Sequence, residues 1–260
     1  MKKAVWLIGL MLAVLCLSGC GGQKGQLKEI RDRGELRVGV KVDVPRFGYI
    51  NPSTNQLEGL EIDMAKLIAQ EIFGNSEAVK LVGITAQTRG PMLANGELDI
   101  AIATFTITEE RKKSFHFSEP YFHDEVGFLV RKGSTLTALK DLEGKTVGIV
   151  QSGTARDALI SEAEIAGVTL QYHEYASYPE IRAALLSEKV DAFSADKSIL
   201  MGYSDEQTVL LADGFNPQDY GIATRLENTE LAKYLDELMA AIQKDGRLQE
   251  ILDRWTVTAP

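Results

Sequence analysis

The stretch LRVGVKVDVPRFGYINPSTNQLEGLEIDMAKLIAQEIF, residues 36–73, changes its apolar period part-way along. Residues 36–42 alternate in period two, the pattern of a half-buried strand. Leu60, Met64, Leu67, Ile68 and Ile72 then recur at helical spacing, which predicts an amphipathic helix over 59–73. The same alternation continues. Residues 79–84 read as a second strand, 90–94 as a short helix with Pro91 in its first turn, and 98–105 as a near-continuous apolar strand. Strands separated by helices imply parallel pairing, hence an α/β sheet.

After Pro120 the order starts again, with strands expected at 126–130, 146–150, 169–175 and 192–195 and helices at 155–163 and 179–188. This is a second α/β unit. Residues 220–224 resume a strand, and helices at 230–244 and 247–255 follow, separated by the stop signal Asp245-Gly246.

The chain has 260 residues, 45% hydrophobic and 25% charged, so it can bury a core and is not a disordered polymer. Lys2 and Lys3 precede an apolar run, residues 4–17, that is too short to span a bilayer comfortably, which reads as a secretory signal over residues 1–19. Leu17-Ser18-Gly19-Cys20 resembles the bacterial lipobox, which implies cleavage before Cys20 and acylation of that cysteine. The alternative is an ordinary secretory signal with an incidental cysteine. Residues 20–27 would then be a polar tether, leaving an exported protein anchored to, without spanning, a membrane. The place expected is the outer side of the cytoplasmic membrane, or the periplasm. Cys16 and Cys20 are the two cysteines, so no disulfide is available to the mature chain.

Losing Lys2 and Lys3 takes the formal charge from −9 to −11, and no cluster of basic and aromatic residues is present, which argues against nucleic acid as a partner. Gly144-Lys145-Thr146 lacks the glycine a phosphate loop needs, since position 139 is Leu. No cofactor is expected, and no Cys/His cluster points to a metal.

Residues 104–122, TFTITEERKKSFHFSEPYF, carry the chemistry. Thr108 is a suitable N-cap for a helix beginning Glu109-Glu110, whose acids suit the helix dipole. Capping does not account for Thr104, Thr106 or Arg111. In an open α/β sheet the ligand lies beyond the carboxyl ends of the strands, where these residues fall. Two hydroxyls, free N–H groups and a guanidinium fork suit a carboxylate; a solvated surface arginine is the alternative.

The pattern T-x-T-I-T-x-E-R-K-K followed by F-S-E-P-Y resembles the signature of the periplasmic amino-acid-binding proteins of ABC importers, the polar amino acid solute-binding proteins. GVKVDVPRFGYIN, EGLEIDMAKLIAQ, LEGKTVGIVQSGT, VDAFSADKSIL and QDYGIAT extend the likeness from about residue 35 to 255 in family order. TRGPML, ATFTITEERK and FSADKSIL together look most like receptors for aspartate and glutamate. The resemblance implies a type II periplasmic-binding-protein fold, with lobe one at 28–121 and 221–260, lobe two at 126–217, and hinge crossings at 122–125 and 218–220. It also implies a permease partner in the cytoplasmic membrane and a monomeric receptor.

By the same resemblance Arg111 holds the α-carboxylate and Asp196 the α-ammonium, one from each lobe. Helix capping would explain Asp196 equally. Thr104, Thr106, Ser152 and Thr154 add donors around the carboxylate, and Lys41 and Arg89 flank the ligand's side chain. Phe47 is either an apolar wall for the ligand or a core residue. The three cations against Asp196 give the expected pocket a net +2, which favours an acidic amino acid over glutamine. An enzyme of the cyclohexadienyl dehydratase type is the rival class, and it needs a poised general acid in the cleft. His116, His123 and His173 have no paired nucleophile nearby in sequence, so the chain reads as a receptor rather than an enzyme.

Overall fold

A computed structural model of the chain describes residues 26–257. The signal, Cys20 and most of the tether lie outside the described residues. The first helix, α1 (Gln26–Arg33), includes residues 26 and 27, the last two assigned to the tether, and Leu27 is buried.

Strand β1 (Leu36–Val40) is followed by a small antiparallel meander, β2 (Asp43–Val44), β3 (Gly48–Ile50) and β4 (Leu57–Glu58). Next come α2 (Leu60–Phe73), β5 (Val79–Gly83), α3 (Arg89–Ala94), β6 (Ile100–Ile102), α4 (Glu109–Lys112) and β7 (Phe115–Phe117). Strand β8 (Phe122–Arg131) leads into a second unit of β9 (Thr146–Val150), α5 (Ala155–Ala166), β10 (Gln171–Tyr175), α6 (Tyr178–Leu186), β11 (Ala192–Asp196), α7 (Lys197–Tyr203) and β12 (Thr208–Leu210). The chain returns through β13 (Phe215–Tyr220) to β14 (Ala223–Arg225), α8 (Thr229–Asp245) and α9 (Arg247–Arg254).

These elements make two α/β lobes. The first is built on the sheet β5-β1-β6-β14-β7, with β1 parallel to β5 and β6 and with Val38 opposite Ile100. The second is built on β10-β9-β11-β8-β12, with β9 parallel to β10 and β11. Strand β13 pairs antiparallel with β8, setting Tyr220 opposite Phe122 and Gln218 opposite Asp124. The two segments that connect the lobes therefore form one ladder. Phe47, fully buried, packs edge-on against Phe122 at 5.3 Å and Tyr220 at 5.9 Å, which makes it a core residue beneath that ladder.

The apolar run 98–105 forms a strand only at β6. Thr104 lies in the left-handed region at φ 42° and gives its N–H to the Glu61 carboxylate, so the chain leaves the sheet there. The strand expected at 220–224 is split: Tyr220 ends β13, Ala223 begins β14 in the other sheet, and Gly221 and Ile222 cross between them. Thr108 caps α4 as expected, its Oγ1 accepting the Arg111 N–H at 3.1 Å.

Candidate functional site

The lobes meet at a crevice lined from the first lobe by Arg89, Thr104 and Thr106, and from the second by Gly153, Thr154, Tyr178 and Asp196. These residues follow β6, β9 and β11 or begin α3, α5 and α6, so strand ends and helix starts converge on it. Its free volume is about 10 Å³, room for roughly one water. A larger guest enters only if the lobes part or side chains swing aside.

Arg89 is 4% exposed and donates from Nη1 to the carbonyls of Ala103 at 2.8 Å and Thr104 at 3.0 Å, its guanidinium lying 4.0 Å over the Phe105 ring. Burial lowers its pKa, opposed by Tyr178 and Asp196. Arg111 donates from Nη1 to the Thr106 carbonyl at 2.7 Å and reaches across the seam from Nη2 to the Ser152 carbonyl at 3.3 Å. Burial first, then the neighbouring Arg89, pushes its pKa down to about 9. Among the described residues, neither guanidinium has a carboxylate within 4 Å.

Asp196 is the acid of the crevice. It holds the N-cap position of α7 but makes no capping bond; Asp124 on β8 takes that role, accepting the N–H and hydroxyl of Ser198. Capping therefore does not explain Asp196. Among the described residues its carboxylate accepts only the Tyr220 hydroxyl, which also reaches Asp124 at 3.1 Å. Burial, then repulsion from Asp124, raises the Asp196 pKa to about 7. An ionised aspartate in such a place is stabilised by a cation brought to it.

Ser152 is exposed at φ 59°, and its carbonyl accepts from Arg111 Nη2. The Thr154 hydroxyl donates to Gln218 Oε1 at 2.6 Å, tying the start of α5 to the crossing strand. Lys41 differs most from its reading as a waiting cation. It is 2% exposed, its Nζ lies 2.9 Å from Asp43 Oδ1, and it sits 5.2 Å over the Tyr178 ring. Burial lowers its pKa and Asp43 opposes the shift. With the Lys41 charge offset by Asp43, Arg89 and Arg111 both act on Asp196, and these three charges sum to +1 instead of the expected +2.

Tyr178 in the crevice lining and Glu61 on α2 both went unread. Glu61, in the first turn of α2, is fully buried and accepts the Thr104 N–H and the Tyr121 hydroxyl at 2.7 Å. Burial raises its pKa to about 7, against pulls that include Lys41 and Arg89. The histidines lie elsewhere: His116 is 3.1 Å from Asp236, His123 is 2.6 Å from Asp219, and His173 is on β10, opposite Gly148.

Residues 36–258 match the model of the bacterial extracellular solute-binding proteins, family 3. The chain belongs to that family. As a family 3 solute-binding protein it is 36% identical over 264 residues to the ABC transporter glutamine-binding protein GlnH of Bacillus subtilis, covering 96% of this chain and 95% of that one. It is 34% identical to a glutamine-binding protein of Geobacillus stearothermophilus, covering 90% and 98%. A crystal structure of the cysteine-binding protein of Campylobacter jejuni superposes with a TM-score of 0.81 at 27% identity, covering 89% of this chain and 92% of that one. The family 3 chain thus has the two-lobed type II periplasmic-binding-protein fold, and none of its described helices is long and apolar enough to cross a membrane.

Proposed function

We propose that this solute-binding protein is the amino-acid receptor of an ABC importer, and that the amino acid it favours carries a second carboxylate. Arg111 and the start of α5 receive the α-carboxylate, Asp196 receives the α-ammonium, and Arg89 receives the distal acid. The carrying observation is the pair of guanidiniums that share one seam with a single carboxylate and have no carboxylate within 4 Å among the described residues. Burying a guanidinium against carbonyls alone is unfavourable, and a carboxylate supplied by the guest offsets that cost. A net +1 also matches an acidic amino acid at −1.

A neutral amide is the second reading. Glu61 with a pKa near 7 is partly ionised beside Arg89 and so subtracts from the positive field, and the relatives at 36% and 34% identity are named for glutamine. The dehydratase reading has less support: the relatives at 36% and 34% identity are named as binding proteins, and Asp196, the raised carboxyl of the crevice, is the group an amino acid's ammonium needs. Incubation with prephenate or arogenate should give no product.

The proposal includes acylation at Cys20, a tether to the outer face of the cytoplasmic membrane, two lobes joined at 122–125 and 218–220, and a monomer that docks on its permease. Labelled palmitate should enter the wild-type chain and not Cys20→Ala. The ligand itself is tested by a thermal-shift panel of the common amino acids. A ligand at about 100 times its dissociation constant stabilises by about 2.7 kcal/mol, so aspartate and glutamate should give the largest upward shifts. A panel in which no amino acid moves the melting temperature would end the receptor reading.

A further inference from the structure

Lys41 reaches the crevice only through its neighbours. Its ammonium lies 5.2 Å from the centre of the Tyr178 ring, which lines the crevice, and Arg89 and Glu61 stand close enough to perturb it. Among the described residues, Asp43 supplies the one carboxylate within 4 Å of it. Asp43 is itself placed by both lobes. Its backbone pairs with Tyr49 in the meander, and its carbonyl accepts the Tyr203 hydroxyl from α7. Its Oδ1 makes no well-directed hydrogen bond, so what it offers there is charge at 2.9 Å from Lys41.

We infer that Asp43 sets ligand specificity: by cancelling the Lys41 charge over the Tyr178 ring, it limits how strongly the crevice prefers an acidic side chain over its amide. The inference deepens the receptor reading and rests on it. Removing the Asp43 carboxylate takes away the counter-charge of Lys41, and a bound distal acid, attracted by the Lys41 ammonium, then favours its ionised form. At an effective dielectric near 20, that should raise the glutamate-to-glutamine affinity ratio by about tenfold or more. Asp43→Asn preserves size and leaves both backbone bonds in place.

The experiment is calorimetric titration of glutamate and glutamine into the wild-type chain, Asp43→Asn, Asp43→Glu, Lys41→Met and the Asp43→Asn/Lys41→Met double variant. The expected result is a raised ratio in Asp43→Asn, a near wild-type ratio in Asp43→Glu and in the double variant, and a lowered ratio in Lys41→Met, where the Asp43 charge is left uncompensated. An unchanged ratio in Asp43→Asn would overturn the inference, as would a shift that survives in the double variant. A wild-type chain that prefers glutamine contradicts the acidic assignment alone, since the change of ratio still decides the role of Asp43. Binding of neither amino acid by any of the five proteins would overturn both.

Discussion

Asp196 and Arg111 are set at opposite ends of one small group, and burial pushes both toward their neutral forms. Arg111→Ala should abolish binding of every amino acid, because Arg89, the other fork of the crevice, is assigned to the distal acid and is held by the Ala103 and Thr104 carbonyls. Arg89→Met should chiefly weaken aspartate and glutamate, and should also cost about 1–3 kcal/mol of stability because the Ala103 and Thr104 carbonyls lose their donor. Titration and thermal melts of both variants check this division. The pH dependence has a definite sign. Asp196 has a folded pKa raised to about 7, so between its ordinary value of 3.8 and 7 the folded chain binds more protons than the unfolded one. The unliganded protein therefore loses the Asp196 contribution as pH rises through that window, and Glu61 adds to the trend. Ligand affinity runs the other way. An ammonium needs the ionised carboxylate, so affinity should fall toward tenfold per pH unit below about 7. Titrations at pH 5, 6, 7 and 8 measure it, and a flat profile would mean Asp196 does not receive the ammonium. The Lys41 pairing left a trace in the sequence, since residues two apart share one face of an extended chain and Lys41 and Asp43 are so spaced. Glu61 left none. An acid in a helix's first turn is ordinary, and only the tertiary fold turns that end of α2 inward.

At the scale of elements, the long periodic segments were the readable ones. Helices α2 and α8 bury the positions their apolar spacing marks, including Leu60, Met64 and Ile68 in the first and Leu231, Leu235 and Met239 in the second. The meander β2–β4 was not legible because two- and three-residue strands carry no period. Strand β6 is shorter than its apolar run because a buried carboxylate, remote in sequence, takes the Thr104 N–H. Gly59 is required where β4 turns into α2: it sits at φ 139°, and a Cβ there would run into the Phe47 carbonyl. Gly59→Ala should destabilise the protein by about 1–3 kcal/mol, read from urea unfolding. It should also loosen the Lys41–Asp43 corner, since the Gly48 amide beside it packs against the Lys41 backbone. An unchanged midpoint would remove that argument.

For the whole molecule, the closed seam is what the two lobes share. Tyr203 gives its hydroxyl to the Asp43 carbonyl, Arg111 reaches the Ser152 carbonyl, and Lys41 covers Tyr178, while β8 and β13 form the ladder beneath. One such hydrogen bond is worth about 0.5–1.5 kcal/mol, enough to change an open-to-closed ratio several-fold. Tyr203→Phe should therefore enlarge the unliganded protein in small-angle scattering, and saturating ligand should restore the compact form. The two-lobed plan was evident from the alternation of elements and from family order. The closure contacts were not, because each joins residues that are distant in sequence through a backbone carbonyl or a ring face. The most direct measurement is a crystal structure with L-glutamate bound. The account predicts the α-carboxylate on Arg111, the ammonium on Asp196 and the distal carboxylate on Arg89. A distal carboxylate turned away from Arg89, or a ligand seated outside the seam, would contradict it.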